Sequence, residues 1–165
     1  METLQSKFEN YVSGHSICSH DDKILLAVSG GVDSMVMLSL FAEAGYQIGV
    51  AHCNFQLRGP EAEEDEQLVA DTAEKLGVPH YNIRFDTLKE MEQTGESVQM
   101  AARRLRYAWF DSLCDQYGYQ RIAIAHHGDD SVETFLINLL RGTGLRGLTG
   151  ISVINGRLIR PLLFS

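Results

Sequence analysis

Lys23-Ile24-Leu25-Leu26-Ala27-Val28-Ser29-Gly30-Gly31-Val32-Asp33-Ser34 is the stretch that decides the fold. A short apolar run stops abruptly at Ser-Gly-Gly, and a helical pattern of Met35, Val36, Leu38 and Leu40 follows until Gly45. Consecutive glycines let backbone approach an anion closely, and the helix behind them adds unpaired N–H groups and the positive end of its dipole. Ser29 and Ser34 bring hydroxyl donors. Asp33 is out of place in a pure anion cradle, because a carboxylate repels phosphate, but it fits if Mg²⁺ lies between the two. No Lys follows the glycines, so this is not the Walker A loop.

Working outward, the same alternation repeats. Ile48–His52, Tyr81–Phe85 and Arg121–Ala125 read as strands, and their near-continuous apolarity suits a parallel sheet covered on both faces. The Tyr81 run alternates more, which places it nearer an edge. A helix opens at Gly59-Pro60-Glu61, with Leu68, Val69, Ala73 and Leu76 as its stripe and Gly77 as its stop. Another spans about Ser97 to Tyr117, with Val98, Ala102, Leu105, Trp109 and Leu113 at helical spacing, and a further one opens at Asp129-Asp130. The spacing predicts a doubly wound α/β domain with a mostly parallel sheet, helices on both faces and any ligand at the carboxyl ends of the strands. Ile151–Ile159 reads as a hairpin turning at Asn155-Gly156. Residues 1–22 are expected as an N-terminal helical segment and 23–165 as the ligand-binding domain. The apolar ending Pro161-Leu162-Leu163-Phe164-Ser165 reads as the N-terminal part of a longer protein.

Composition narrows the class. With 44% apolar and 22% charged residues the chain is ordinary globular material, which excludes disordered and fibrous classes. No apolar run reaches membrane-spanning length, and no secretory signal opens the chain, so a cytoplasmic protein without a membrane partner is expected. Cys18, Cys53 and Cys114 are scattered, as reduced thiols are. The net charge of −8 argues against nucleic acid, yet its distribution is uneven. After Glu133 there is no acidic residue, while Arg141, Arg146, Arg157 and Arg160 follow. That end is locally basic and suits either a phosphate backbone or a plain solvated surface.

The SGGVDS loop after an apolar strand resembles the PP-loop of the ATP pyrophosphatase superfamily, whose members cleave ATP between the α- and β-phosphates and adenylate a substrate. Ala51–Arg58 (AHCNFQLR), Glu96-Ser97 through Ala102–Tyr107 (ARRLRY), Ala125–Thr134 (AHHGDDSVET) and Arg141–Leu148 (RGTGLRGL) are similar to the tRNA(Ile)-lysidine synthetase family. The likeness runs from about Lys23 to Leu162, with its motifs in order. Phe55, Gly128 and Ser131 depart from the commoner residues of that family. The resemblance implies ATP and Mg²⁺ as cofactors, and a CAU-anticodon isoleucine tRNA and L-lysine as partners. It implies a ligase that adenylates O2 of the wobble cytidine, after which the lysine amine attacks C2 and expels AMP. A homodimer stays open.

That chemistry gathers negative charge on the α-phosphate and the departing pyrophosphate, so it needs a metal and cationic donors. The resemblance assigns nucleotide binding to Ser29, Gly30, Gly31, Val32, Asp33 and Ser34, and the metal to Asp33. His52, at a strand end, is placed to border the adenine. Asp130 and Glu133, three apart at a helix start, suit a metal, the lysine amines or ordinary helix capping. His126 follows a strand directly and suits proton transfer or adenylate contact, with His127 as its neighbour. Arg103 and Arg106 share a helix flank, with Arg104 pointing away. They suit either stabilisation of pyrophosphate or base, or a solvated face. The rivals are a tRNA thiolase or amide-forming synthetase of the same superfamily, and a module that holds ATP without turnover. A thiolase of this kind uses paired cysteines, and this sequence has no CxxC.

Overall fold

The structure, a computed structural model, describes residues 2–125 and 153–164. Five helices and six strands follow the chain among these residues: α1 (Leu4–Gly14), β1 (Lys23–Ala27), α2 (Val32–Glu43), β2 (Gln47–Asn54), α3 (Pro60–Leu76), β3 (His80–Arg84), α4 (Thr87–Thr94), α5 (Val98–Tyr117), β4 (Arg121–Ala123), β5 (Ile154–Asn155) and β6 (Leu158–Ile159). The strands form one sheet in the order β3-β2-β1-β4-β6-β5, parallel except for the β5–β6 pair. The expected α/β architecture, with β3 at an edge, is therefore present, and the β5–β6 hairpin turns one residue later than expected, at Gly156-Arg157, because Asn155 still pairs with Leu158. Gly156 takes φ 60° there, the left-handed conformation the turn requires.

Alternation along the strands divides the core in two. Ile24, Leu26, Val28 and Val50 face one layer with Phe8 and Val12 of α1, Met37, Leu38 and Phe41 of α2, and Val69 and Ala73 of α3. Leu25, Ala51, Ile122 and Ile124 face the other, against Phe110, Leu113 and Cys114 of α5. Full burial of each large apolar side chain contributes roughly 1.5–3 kcal/mol. Phe8 also meets Phe41 edge-on at 5.0 Å, so the first 22 residues share a core with the sheet. Gly49 in β2 is needed for fit. The Tyr119 ring and hydroxyl fill the space a Cβ would take, and that hydroxyl pairs with Tyr81 at 2.9 Å.

Two helix readings need correction. On α3, Val69 and Ala73 are buried, but Leu68 and Leu76 are 46% and 43% exposed. On α5 the buried face is Ala101, Phe110, Leu113 and Cys114. Val98, Ala102, Leu105 and Trp109 are half-buried, because α5 also packs against α4, a helix the apolar pattern did not reveal. Two apolar contacts on adjoining faces smear a single stripe.

Candidate active site

The loop between β1 and α2 is held by its own hydroxyls. Ser34, 4% exposed, accepts N–H bonds from Ser29 (3.1 Å) and Gly30 (3.2 Å) and donates to the Gly31 carbonyl (3.0 Å). The Ser29 hydroxyl accepts the Gly31 N–H at 3.2 Å. Sequence reasoning expected these groups to face an anion, whereas here they fasten the turn. The groups left for a ligand begin with the first turn of α2. Its first i→i−4 bond is Met35 N–H to the Gly31 carbonyl (3.0 Å), so the amides of Val32, Asp33 and Ser34 precede the helical ladder. Val32 is 79% exposed, and Asp33 is the only acid of that turn, beside the positive end of the helix. Gly30 has φ 95°, and a Cβ there would stand 2.8 Å from the Asp65 Cβ of α3. Glycine at this position answers both the backbone and the neighbour.

Two clefts flank the loop at the carboxyl ends of β1, β2 and β4. The first, about 190 Å³, is lined by Ser29 and Ser34 of the loop, Ala51 and Cys53 of β2, and Arg106 and Tyr107 of α5. It brings one of the two expected arginines into the same cleft as the loop. Arg103 stands beside it, 5.2 Å from the Tyr107 ring centroid. Arg104 turns away, as expected, and pairs with Glu90 and Glu96 at 3.0 and 2.9 Å. The Arg106 Nε is buried without a hydrogen-bond acceptor among the described residues. Burial pushes the Cys53 thiol up to about 12 against the opposing pull of Arg106, so it stays protonated. Sequence reasoning gave no role to Tyr107. Its signal was available, for it lies four residues after Arg103 and next to Arg106 on one helix.

The second cleft, about 200 Å³, is lined by Ser29, His52, Asn54, Arg58 and Asp65. His52 is 3% exposed, and its Nδ1 lies 2.8 Å from the Val28 carbonyl. A carbonyl only accepts, so Nδ1 carries the proton. The ring thus braces the residue just before the loop, on the opposite sheet face from Cys53. Below it, Glu66 takes Asn82 at 2.7 Å and Arg84 at 3.1 and 2.7 Å. Hydrogen bonds from Arg84, then Asn82, hold its carboxyl down at about 2. This network ties β3 to α3, the helix whose Asp65 abuts Gly30.

His126, Asp130 and Glu133, with the helix expected from Asp129, lie outside the described residues. Among the described residues no group of three His, Cys, Asp or Glu side chains is placed to hold a metal ion. Asp33, the acid in the first turn of α2, is the described residue that the expected Mg²⁺ would use, an ion that takes one or two carboxylates together with substrate phosphates and water.

Comparison with known proteins agrees with this fold. The family model described as a PP-loop domain matches residues 1–165. The chain is 46% identical over 153 residues to a tRNA(Ile)-lysidine synthase of Parabacteroides distasonis, covering 93% of this chain and 35% of that protein. It is 44% identical over 167 residues to one of Chlorobaculum tepidum, covering 99% and 50%. The chain therefore spans about a third to a half of the curated relatives it matches. Among solved structures it is similar to the U34-tRNA thiolase NcsA of Methanococcus maripaludis with its 4Fe–4S cluster. The TM-score is 0.75 at 16% identity, covering 96% of this chain and 58% of that one. It also matches an NH3-dependent NAD synthetase of Campylobacter jejuni, with TM-score 0.63 at 14% identity, covering 96% and 65%. At such identities these two likenesses establish the fold alone.

Proposed function

This chain belongs to the PP-loop domain family, and from that membership we propose that it carries the ATP-dependent step of lysidine formation. In this reading ATP adenylates O2 of the wobble cytidine in a CAU-anticodon isoleucine tRNA, and pyrophosphate leaves. The ε-amine of L-lysine then attacks C2, and AMP leaves. The observation that carries the proposal is that Ser29 and Ser34 of the glycine-rich loop and Arg106 line one cleft at the carboxyl ends of the strands. The relatives named tRNA(Ile)-lysidine synthase supply the acceptor.

Each residue has a proposed part. The Ser29–Ser34 loop holds the polyphosphate with the first-turn amides of α2, and the dipole of that helix favours negative charge there. Asp33 holds Mg²⁺, which when bound neutralises charge on the phosphate oxygens. Arg106 and Arg103 offset the charge that builds on the departing pyrophosphate. His52 serves the nucleotide from behind, by fixing the Val28 carbonyl. Asp130 and Glu133 are proposed for the lysine amines, and His126 for proton transfer. The reaction is assigned to the cytoplasm, and no helix among the described residues is long and apolar enough to cross a membrane.

The thiolase alternative fares worse on the side chains. Burial pushes Cys18 up to about 11 and Cys53 to about 12, and raises Cys114 as well. Neutral thiols on separate elements are poor sulfur carriers. The test is nucleoside analysis by mass spectrometry after incubation of the tRNA transcript with ATP, Mg²⁺ and lysine. Wild-type protein is expected to convert one cytidine to its lysine adduct and Asp33→Asn to leave it unmodified. Unmodified cytidine with wild-type protein, or full conversion by Asp33→Asn, would contradict the assignment.

A further inference from the structure

Tyr107, in the wall of the first cleft, carries two guanidiniums. The Arg103 and Arg106 carbons stand 5.2 and 4.9 Å from its ring centroid, inside the roughly 6 Å over which an aromatic quadrupole attracts a cation. Arg58, Arg84, Arg104 and Arg157 each hold a carboxylate. Among the described residues Arg103 and Arg106 hold Tyr107 instead.

A third guanidinium comes from the sheet. Ile159 of β6 pairs with Ala123 of β4, and the Ile124 N–H donates to the Ile159 carbonyl at 3.0 Å. The next step in register sets Arg160 beside Ile124, on the face that packs against α5. Arg160 is only 8% exposed. Burial draws its guanidinium below the usual arginine value; Tyr107 works against that shift and Arg103 adds to it. Arg103 is exposed and Arg106 half-buried at the ring, and their like charges repel each other, a repulsion that a bound anion relieves.

We propose that Tyr107 is a positioning residue that holds Arg103 and Arg106 as a guanidinium wall opposite the Ser29–Ser34 loop, and that this wall receives the pyrophosphate end of the nucleotide. The inference rests on the ATP reading above. Pyrophosphate is favoured over an RNA backbone phosphate because Arg106 lines the same small cleft as Ser29 and Ser34. An anion with charge at both ends can meet both walls at once. The buried Arg106 Nε then gains an acceptor that the described residues do not provide.

The experiment is calorimetric titration of the chain with inorganic pyrophosphate and Mg²⁺, and separately with AMP, which lacks that group. Tyr107→Leu removes the ring face while staying apolar, and Tyr107→Phe keeps the ring. The expected result is a loss of about tenfold or more in pyrophosphate affinity for the Leu variant, equal to one charge-assisted contact. AMP affinity stays within about twofold and the Phe variant binds as wild type, since the quadrupole survives. On wild-type protein labelled at arginine, pyrophosphate is expected to shift the Nε resonances of Arg103 and Arg106, a readout that needs no variant to fold. Unchanged pyrophosphate affinity in Tyr107→Leu, a parallel loss of AMP, or unmoved arginine resonances would overturn the inference. So would a defect confined to an RNA stem-loop. Wild-type protein that binds neither pyrophosphate nor AMP would remove the ATP reading itself.

Discussion

The two walls of the first cleft are built on opposite principles. On the loop side, the N–H groups of Ser29, Gly30 and Gly31 all end on hydroxyls of the same loop. On the helix side, Arg106 keeps a buried donor without an acceptor among the described residues. An unmade hydrogen bond of that kind costs about 1–3 kcal/mol. The loop is therefore finished by folding, and on the proposal above the arginine wall is finished by its ligand. In that proposal the first is a stability element that also binds, and the second holds binding capacity at a cost to stability.

That contrast can be broken from either side. Arg106→Met is expected to have the largest effect, a fall in turnover of about a hundredfold or more, because a cation facing developing phosphate charge is lost. Its folding stability should stay within about 0.5 kcal/mol of wild type or rise, since an orphaned donor leaves with the charge. A large loss of stability in urea titration would show that Arg106 is structural.

Gly30→Ala should do the reverse. The φ of 95° and the approach of Asp65 each resist a Cβ, so stability should drop by about 1–3 kcal/mol. Nucleotide affinity should drop with it, because the loop can no longer close on its own hydroxyls. Wild-type stability in this variant would mean the loop is held from elsewhere.

The smallest expected effect lies behind the loop, in the Glu66–Arg84 pair. Folding lowers the Glu66 carboxyl from 4.5 to about 2, mainly through the Arg84 hydrogen bond. A depressed acid stabilises above its unfolded value, and that stabilisation is lost as pH falls through the folded one. Glu66→Gln should therefore be less stable by about 1–2 kcal/mol at neutral pH. The gap should narrow as the pH drops from 4.5 toward about 2. Parallel curves for the two proteins would rule the ion pair out as the cause.

The same contrast explains what could be read in the sequence. The loop, the strands before and beside it, and the β5–β6 hairpin, to within one residue of its turn, are contiguous features governed by local periodicity and turn chemistry, and they were legible. Asp33 stood out as well, by a charge anomalous among phosphate donors, and its metal role is a proposal. Short polar α4 was missed, although the Asp86 side chain caps it and Gly95 ends it in the left-handed conformation. Without α4, the face of α5 that meets the sheet could not be chosen, and so the Tyr107–Arg160 neighbourhood stayed hidden. It joins a helix to a strand more than 50 residues away along the chain, set by register rather than pattern. His52 was placed correctly at a strand end. Its inward direction, toward the Val28 carbonyl, depends on which sheet face each helix covers.

The central claim is that this loop serves cleavage between the α- and β-phosphates. The most direct test supplies ATP labelled at the α-phosphate, with Mg²⁺, lysine and a CAU-anticodon isoleucine tRNA transcript, and separates the products by thin-layer chromatography. Label should appear as AMP only when tRNA and lysine are both present. Label in ADP would mean the β–γ bond is cut, and the adenylating account would be wrong.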